Sequence, residues 1–389
     1  MLPVSGRALH PMRMDDEARA GETMRKIDRG AVYLGHEVLL PREERERRDV
    51  LSFFCWILLL VLTFTVPVGG QAQGAQEPPR NIILIGWDGA QRGHVKECLG
   101  RGELPHLKQL SQEGTIVAID ILRTTETKPG WAQILTGYEP EATGVFNNRE
   151  FGPIPKGYTI FERLKEFFGP RNFATGAIIA KKGNLGAAPP RRKLLQEGTK
   201  VTRKDPLEIG GKIIVEEGRK YILIPAEPYY YAKDGMDTFL NGLMENENVG
   251  TKTFEWLEQY QNRPFFLFVH FGEIDQKGHE FGENSKEYND ALIAVDAWSG
   301  KILEKLKALR LYDRTLVYIT ADHGFDEGLK THHDAPFVFL ATNDRRVMRR
   351  GFRKDIAPTI LDRFGMDLTT IHPPLPGKPL TKPYQPSPW

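Results

Sequence analysis

The chain has 389 residues, of which 40% are hydrophobic and 10% aromatic, so it can bury a large core in one or two domains. Its 53 lysines and arginines nearly balance its 51 acidic residues, so no chain-wide positive field indicates nucleic-acid binding. Cys55 and Cys98 are its two cysteines, which excludes a disulfide framework and a cysteine-rich zinc site. Any metal ion would therefore be held by oxygen and imidazole ligands.

The first 75 residues are not typical of a folded domain. Residues 1–50 are polar and arginine-rich and end in the charged run PREERERRDV, so we expect an unstructured or over-extended start. Residues 51–75 contain an apolar stretch followed by small residues, which is the order of a secretory signal peptide. The alternative is an uncleaved membrane anchor, since 51–68 is close to spanning length. Both interpretations export the rest of the chain, to the periplasm or the extracellular space.

From residue 76 to 389 the sequence predicts one catalytic domain of alternating strands and helices. The predicted elements in chain order are a strand at NIILI, helices at HLKQLSQEG and GYTIFERLKEFFG, a strand at FATGAIIA, a helix at VGTKTFEWLEQYQ, a strand at FFLFVHF, a long helix at NDALIAVDAWSGKILEKLKALRL, strands at TLVYIT and FVFLAT, and a helix at IAPTILDRFG. This alternation predicts an α/β fold with a mostly parallel sheet covered on both faces.

Two stretches interrupt this regular pattern. Residues 187–237 are rich in Lys, Arg, Pro and Tyr and have weaker periodicity, so we expect an insertion or lid there. They include the aromatic cluster 229–231, which could stack on a nucleobase or pack in the protein. The proline-rich tail PPLPGKPLTKPYQPSPW is expected to run extended over the surface.

Acidic and imidazole side chains follow three of the apolar strands: Asp88, Asp275, His279, Asp322 and His323. The carboxyl ends of parallel strands meet at one edge of an open α/β sheet, where such folds place their sites. Carboxylate and histidine ligation suits Zn²⁺, with Mn²⁺ or iron as competitors, and this set is large enough for two ions.

Glycines and further histidines refine this hypothesis. Gly278 and Gly282 predict a loop around Asp275 and His279. His332 and His333, a short loop after His323, offer another imidazole ligand. The remaining candidates are assigned structural roles, because none follows a strand in this way: His94, His106 and His270.

The segment RTTETKPGWAQILTGYEPEATGVFNNRE adds a hydroxyl nucleophile. It contains Thr-X-Pro at Thr127, Leu-Thr-Gly with its threonine nine residues after Thr127, and then Gly144 and Asn148. Together with GWDG, DxxxHxxG, DHG and a histidine before a proline, it resembles the alkaline phosphatase superfamily. It is most similar to the nucleotide pyrophosphatase/phosphodiesterase branch, from about residue 81 to 365.

The resemblance implies an alkaline phosphatase-like three-layer α/β/α sandwich that cleaves phosphodiester or nucleotide pyrophosphate bonds in small-molecule substrates. It implies two divalent metal ions, with Zn²⁺ favoured, and a covalent phospho-threonine at Thr127. One site would use Asp275, His279 and His332, and the other the Thr127 oxygen with Asp88, Asp322 and His323. Asn148 and Lys181 would hold the phosphoryl oxygens, with Lys182 as an alternative.

Several alternatives remain at this point. His333 could replace His332 as ligand, and Thr124 or Thr125 could replace Thr127, although the family spacing favours His332 and Thr127. The chain departs from the phosphodiesterase pattern at Gly130, where an asparagine is usual, and at Trp131. A phosphomonoesterase is therefore an alternative function. A sulfatase-like enzyme and a catalytically silent metal-binding homologue are further alternatives, although Thr127 argues against the first and the intact ligand set against the second.

Overall fold

Continuous apolar runs form the central strands, because both faces of these strands are buried. In the strands Asn81–Trp87, Phe265–Phe271 and Thr315–Thr320 every residue is buried. The computed structural model describes residues 79–195 and 212–383. The expected signal peptide at 51–75 lies outside these residues, and within them no helix is both long and apolar enough to cross a membrane.

The strands, in chain order, are β1 (Asn81–Trp87), β2 (Thr115–Asp120), β3 (Ala174–Ile179), β4 (Arg191–Leu194), β5 (Lys212–Glu216), β6 (Arg219–Ile224), β7 (Thr238–Asn241), β8 (Phe265–Phe271), β9 (Thr315–Thr320), β10 (Phe337–Thr342) and β11 (Gly351–Phe352). The α-helices are α1 (Arg92–Arg101), α2 (Pro105–Glu113), α3 (Thr127–Thr136), α4 (Pro140–Thr143), α5 (Ile160–Phe168), α6 (Asn246–Tyr260), α7 (Glu273–Phe281), α8 (Lys286–Ala308) and α9 (Ile356–Arg363).

Eight of these strands form the main sheet, in the order β11-β2-β10-β9-β1-β8-β3-β7. Strand β10 runs antiparallel to β2 and β9, and the other neighbouring pairs are parallel. Helices flank the sheet, which confirms the predicted α/β fold. The register pairs Trp87 with Phe271 and Gly86 with Thr320, so β8, β1 and β9 end at the same edge. This edge carries the predicted ligands.

The predicted loop around Asp275 and His279 is wrong, because these residues lie in helix α7. A Cβ atom at Gly278 would lie 2.5 Å from the ring of Phe325, so this glycine permits close packing. Gly282 follows the helix with a φ of 102°, a backbone conformation that favours glycine. The spacing of four residues places Asp275 and His279 on one face of the helix.

The described part of the predicted insertion at 187–237 includes a separate antiparallel sheet of order β4-β6-β5. A role as a lid stays a prediction. Tyr229 is fully buried, so it packs in the protein, whereas Tyr231 is partly exposed. The proline-rich tail does not simply run over the surface, since Leu380 is fully buried and its N–H donates to Thr359 Oγ1 at 2.8 Å.

Candidate active site and metal centre

Three buried carboxylates meet at the edge formed by β8, β1 and β9. Asp88 follows β1, Asp275 lies in the first turn of α7, and Asp322 follows β9. Each has one buried oxygen without a hydrogen-bond partner among the described residues, namely Oδ1 of Asp88, Oδ1 of Asp275 and Oδ2 of Asp322. Buried polar atoms are rarely left unpaired, so these oxygens indicate a missing positively charged partner.

His323 faces these three oxygens. Its Nε2 lies 3.5 Å from Asp88 Oδ1, 3.7 Å from Asp275 Oδ1 and 3.5 Å from Asp322 Oδ2. Its Nδ1 lies 2.9 Å from the carbonyl oxygen of Gly324, and since a carbonyl only accepts, Nδ1 carries the hydrogen. Burial lowers the pKa of His323, which keeps the ring neutral and leaves a lone pair on Nε2. Such a set of converging acceptors fits a metal ion.

Two more histidines extend this centre beside Asp275. His279 Nδ1 lies 2.9 Å from the Lys330 carbonyl oxygen, and its Nε2 is 3.3 Å from Asp275 Oδ1. The His332 ring stacks on His323 with centroids 4.0 Å apart. Burial and the neighbouring His323 lower the pKa of His332 to about 4, so its ring too is neutral at ordinary pH and could accept a metal ion.

The ligand atoms form two overlapping groups within which all atoms lie within 4.8 Å of one another. One group is Asp88, Asp322 and His323, and the other is Asp275, His323 and His332. The first contains the three side chains that were predicted, together with the Thr127 oxygen, for the second site. The other contains His323 where His279 was predicted, with His279 lying next to Asp275. His333 is exposed and its backbone N–H donates to Asp326 Oδ2 at 2.9 Å, so the geometry favours His332.

The carboxyl groups influence one another's protonation. Burial raises the pKa of Asp322, and the nearby charges of Asp88 and Asp275 raise it further. Burial would also raise the pKa of Asp88, but the ammonium group of Lys181 and a hydrogen bond with His270 bring it below its ordinary value. Three carboxyl groups therefore share one buried centre, in which the ammonium group of Lys181 offsets negative charge.

Thr127 is the hydroxyl residue at this centre. It is the first residue of helix α3, it is buried, and its Oγ1 lies 3.2 Å from His323 Nε2. The alternatives have other partners: Thr125 donates its hydroxyl to the His332 carbonyl oxygen, and Thr124 Oγ1 accepts from the Glu126 N–H at 3.2 Å. The helix N-terminus adds positive potential where an anion would approach Thr127.

Asn148 is held beside the first turn of α3. Its Oδ1 accepts from the Lys128 N–H at 2.9 Å, and its own N–H donates to the Glu126 carboxylate. This orientation leaves the amide Nδ2 to donate to a bound group. A cavity of about 480 Å³ lies next to it, lined by Glu126, Asn147, Asn148, Arg149, His332 and His333.

Lys181 lies close to two of the candidate metal ligands. Its ammonium contacts the Asp275 carboxylate and lies 3.6 Å from Asp88 Oδ2. A second cavity, of about 540 Å³, opens beside it and is lined by Lys181, Lys182, Met244, Gly272, Asp275, Gln276, His279 and Glu280. The predicted phosphoryl-binding role of Lys181 remains a prediction.

The sequence pattern did not single out two side chains that position Asp88. Asn184 donates its amide to Asp88, and His270 Nε2 lies 3.1 Å from Asp88 Oδ2. The structural role predicted for His270 stays a prediction, and this contact shows that its ring also holds Asp88 in place. Its place in β8, paired with Gly86 two residues before Asp88, was the available signal.

Gly130 and Trp131, where the chain departs from the family pattern, are both closely packed. A Cβ atom at Gly130 would lie 2.9 Å from both Arg353 Nη1 and Asp322 Cβ, so an asparagine does not fit. Arg353 itself donates to the Asp322 carbonyl oxygen at 2.7 Å. Trp131 fills the space that a side chain at Gly86 would need, where a Cβ atom would lie 2.4 Å from its ring.

A family model described as type I phosphodiesterase / nucleotide pyrophosphatase matches residues 82–360. The chain belongs to this family of metal-dependent hydrolases. The match confirms the resemblance found in the sequence. The identity of the metal ion and the nucleophile do not follow from the match.

Two curated human relatives show how far the similarity extends. Bis(5'-adenosyl)-triphosphatase ENPP4 is 23% identical over 277 residues, which cover 69% of this chain and 53% of that protein. Ectonucleotide pyrophosphatase/phosphodiesterase family member 1 is 25% identical over 258 residues, which cover 66% of this chain and 24% of that protein. The aligned part of the chain therefore spans about half of the first relative and a quarter of the second.

Solved structures share the fold at low sequence identity. BT4656, in complex with D-glucosamine-2-N,6-O-disulfate, has a TM-score of 0.50 at 15% identity, covering 78% of this chain and 80% of that chain. BT1596, a 2-O GAG sulfatase, has a TM-score of 0.51 at 13% identity, covering 78% of this chain and 73% of that chain. These likenesses show a shared fold alone.

Proposed function

We propose that this protein hydrolyses phosphodiester or nucleotide pyrophosphate bonds through Thr127 and two divalent metal ions. The observation that carries the proposal is the convergence of three unpaired carboxylate oxygens on His323 Nε2, with Thr127 Oγ1 3.2 Å from the same nitrogen. A hydroxyl beside a cation site is the arrangement that threonine needs, because its free pKa makes it a weak nucleophile.

The residues divide the chemistry between them. Divalent ions at the two ligand groups would lower the pKa of the Thr127 hydroxyl and offset the charge on the leaving oxygen. Thr127 Oγ1 bonds to phosphorus as the bond to the leaving oxygen breaks, and the proton lost by Thr127 is balanced by one taken up by the leaving group. Water then hydrolyses the phospho-threonine and restores the hydroxyl.

The first turn of α3 and Asn148 support the phosphoryl group in this proposal. The Asn148 amide Nδ2 donates to a non-bridging oxygen, which stabilises the charge that develops in the transition state. The N-terminus of α3 favours an anion at the same place. We favour Zn²⁺ for both sites, because carboxylate and neutral imidazole ligands suit it.

The substrate is proposed to be a small nucleotide or phosphate ester. One human relative is named for bis(5'-adenosyl)-triphosphate cleavage, so a dinucleoside polyphosphate is a suitable natural substrate to test. Export remains a proposal that rests on the composition of residues 51–75. Cell fractionation and the N-terminal mass of the mature protein test it.

Metal content and three p-nitrophenyl esters test the activity. The purified protein is assayed with the diester of thymidine monophosphate, with the phosphate monoester and with the sulfate. Two zinc ions per chain and preference for the diester are expected. Preference for the monoester, which the altered Gly130–Trp131 segment makes the second candidate, would assign a phosphomonoesterase. Preference for the sulfate, or no metal and no turnover, would overturn the proposal.

A further inference from the structure

The position of Lys181 is unusual for a residue that only binds substrate. Its ammonium contacts the Asp275 carboxylate and lies 3.6 Å from that of Asp88, and these two carboxylates belong to different ligand groups. The side chain is 25% exposed, and both carboxylates are almost fully buried. Lys181 therefore places a positive charge between the two candidate metal sites.

The protein provides a path for this side chain. A Cβ atom at Gly272 would lie 2.8 Å from Lys181 Cγ and 3.2 Å from its Cδ and Cε. Gly272 has a φ of −115°, which any residue adopts, so the backbone does not require glycine there. The absence of a side chain at Gly272 instead leaves room for the stem of Lys181 along the start of α7.

Charge balance makes Lys181 relevant to metal binding. When a cation binds and favours the ionised form of Asp322, the three buried carboxylates supply three negative charges, and Lys181 offsets one of them. A single divalent ion then neutralises the centre. A second divalent ion would add two positive charges next to the ammonium, and like charges in a buried centre repel strongly. Arg353, which bonds the Asp322 carbonyl oxygen, adds further positive charge nearby.

We propose that Lys181 is an internal cation that competes with a divalent ion for the carboxylates of Asp275 and Asp88. The two metal sites then fill unequally, with one ion bound tightly and a second bound at the Asp275 group only when the ammonium moves aside. The cavity of about 540 Å³ beside Lys181, which Glu280 also lines, has room for the displaced ammonium. This inference rests on the two-metal centre of the proposed function.

Equilibrium metal binding tests the inference without any substrate. The metal-stripped full chain is titrated with Zn²⁺ against a chelator of known affinity, and two dissociation constants are measured. In the unaltered protein the second ion should bind at least about tenfold more weakly than the first. Lys181→Met keeps the length of the side chain but removes its charge. It should reduce the ratio of the second dissociation constant to the first by about tenfold or more.

Two further variants make the test specific. Lys182→Met removes the neighbouring charge and should leave the ratio within about twofold of its original value. Gly272→Ala displaces the aliphatic part of the Lys181 side chain and should reduce the ratio of the two dissociation constants as Lys181→Met does. It provides the test if Lys181→Met does not fold. An unchanged or wider ratio in a folded Lys181→Met or Gly272→Ala protein would overturn the inference, as would a single binding site in both.

The outcome is independent of the proposed reaction. A narrowed ratio in a protein that hydrolyses no ester would support the internal cation and contradict the proposed function. Ester hydrolysis by the unaltered protein, with the same ratio of dissociation constants in Lys181→Met, would support the proposed function and contradict the internal cation.

Discussion

At the scale of single residues, the direction of each imidazole decides what the centre can bind. His323 and His279 each direct Nδ1 to a backbone carbonyl, at 2.9 Å in both cases, and so present Nε2 to the carboxylates. The sequence predicted which strands end in ligands. It could not predict these ring orientations, because they depend on carbonyl groups that only the folded chain brings near.

His332 and His333 give the first prediction. His332→Ala should weaken binding of one metal ion by at least about 100-fold, since loss of even an outer partner of a ligand costs about 10- to 100-fold. His333→Ala should leave both affinities nearly unchanged, because His333 is exposed and belongs to neither ligand group. Metal titration of both variants checks this, and equal losses would contradict the assignment of His332.

Gly130 gives a prediction about packing. Gly130→Ala should lower the free energy of unfolding by about 1–3 kcal/mol, because its Cβ would press on Arg353 and Asp322. Gly100→Ala is the matched control, since a Cβ there meets nothing within 4 Å and alanine favours the exposed helix by up to about 1 kcal/mol. Denaturant unfolding measures both; a stable Gly130→Ala protein would mean that Arg353 does not fill this space.

At the scale of elements, a glycine can mark either a loop or a close packing contact inside a helix, and the sequence alone did not distinguish the two. Gly278 and Gly282 predicted a loop, yet Gly278 lies inside α7 against Phe325, and Gly282 follows the last residue of that helix. Strand patterns were more reliable, since a run such as FFLFVHF is apolar at nearly every position, which is typical of a strand buried on both faces. The contact of Lys181 with Asp275 links the end of β3 to α7 and was not predictable from either segment.

The link between α1 and the loop before α8 gives a prediction about pH. Burial would lower the pKa of His94, but contacts with Cys98 and Glu283 raise it to about 10. Glu283 also accepts the N–H of Gly328 at 3.1 Å, in the loop that leads to His332. A histidine with a raised pKa stabilises the fold fully below its unfolded pKa near 6.5, and this stability is lost as pH rises towards 10.

The free energy of unfolding should therefore fall between pH 6.5 and 10. A decrease of about 1.5–3 kcal/mol is expected, which is typical of a hydrogen bond to a charged group. His94→Gln should remove most of this pH dependence of the free energy of unfolding, because glutamine does not titrate. Denaturant unfolding at several pH values provides the measurement. The same pH dependence in His94→Gln and the unaltered protein would show that another group is responsible.

At the scale of the entire domain, the centre joins segments that are far apart in the sequence. The candidate ligands Asp88 and Asp322 follow strands β1 and β9, and Asp275 lies in helix α7, which follows β8. The proposed nucleophile begins helix α3, so the site forms only when the sheet is complete. The order of strands and helices was largely predictable. Asn184 and Arg353 were not, because their roles arise from tertiary packing around Asp88 and Asp322.

Removal of metal should destabilise the entire domain. A ligand that binds only the folded state adds about 2.7 kcal/mol at a free concentration of 100 times its dissociation constant. Chelation should therefore lower the melting temperature, and added Zn²⁺ should restore it in a concentration-dependent way. Calorimetry measures the shift in melting temperature. His332→Ala should show a smaller shift than the unaltered protein. A melting temperature insensitive to chelation and to added metal would contradict metal binding by the folded chain.

The proposed reaction depends above all on Thr127 as the nucleophile of a metal-dependent diesterase, and kcat/KM of Thr127→Ala is the decisive measurement. The assay uses the p-nitrophenyl diester of thymidine monophosphate and zinc-loaded protein. Removal of the attacking oxygen should reduce kcat/KM by at least about a thousandfold, whereas Thr127→Ser, which keeps a hydroxyl, should retain measurable turnover. Unchanged kcat/KM in a folded, metal-loaded Thr127→Ala protein would show that Thr127 is not the nucleophile.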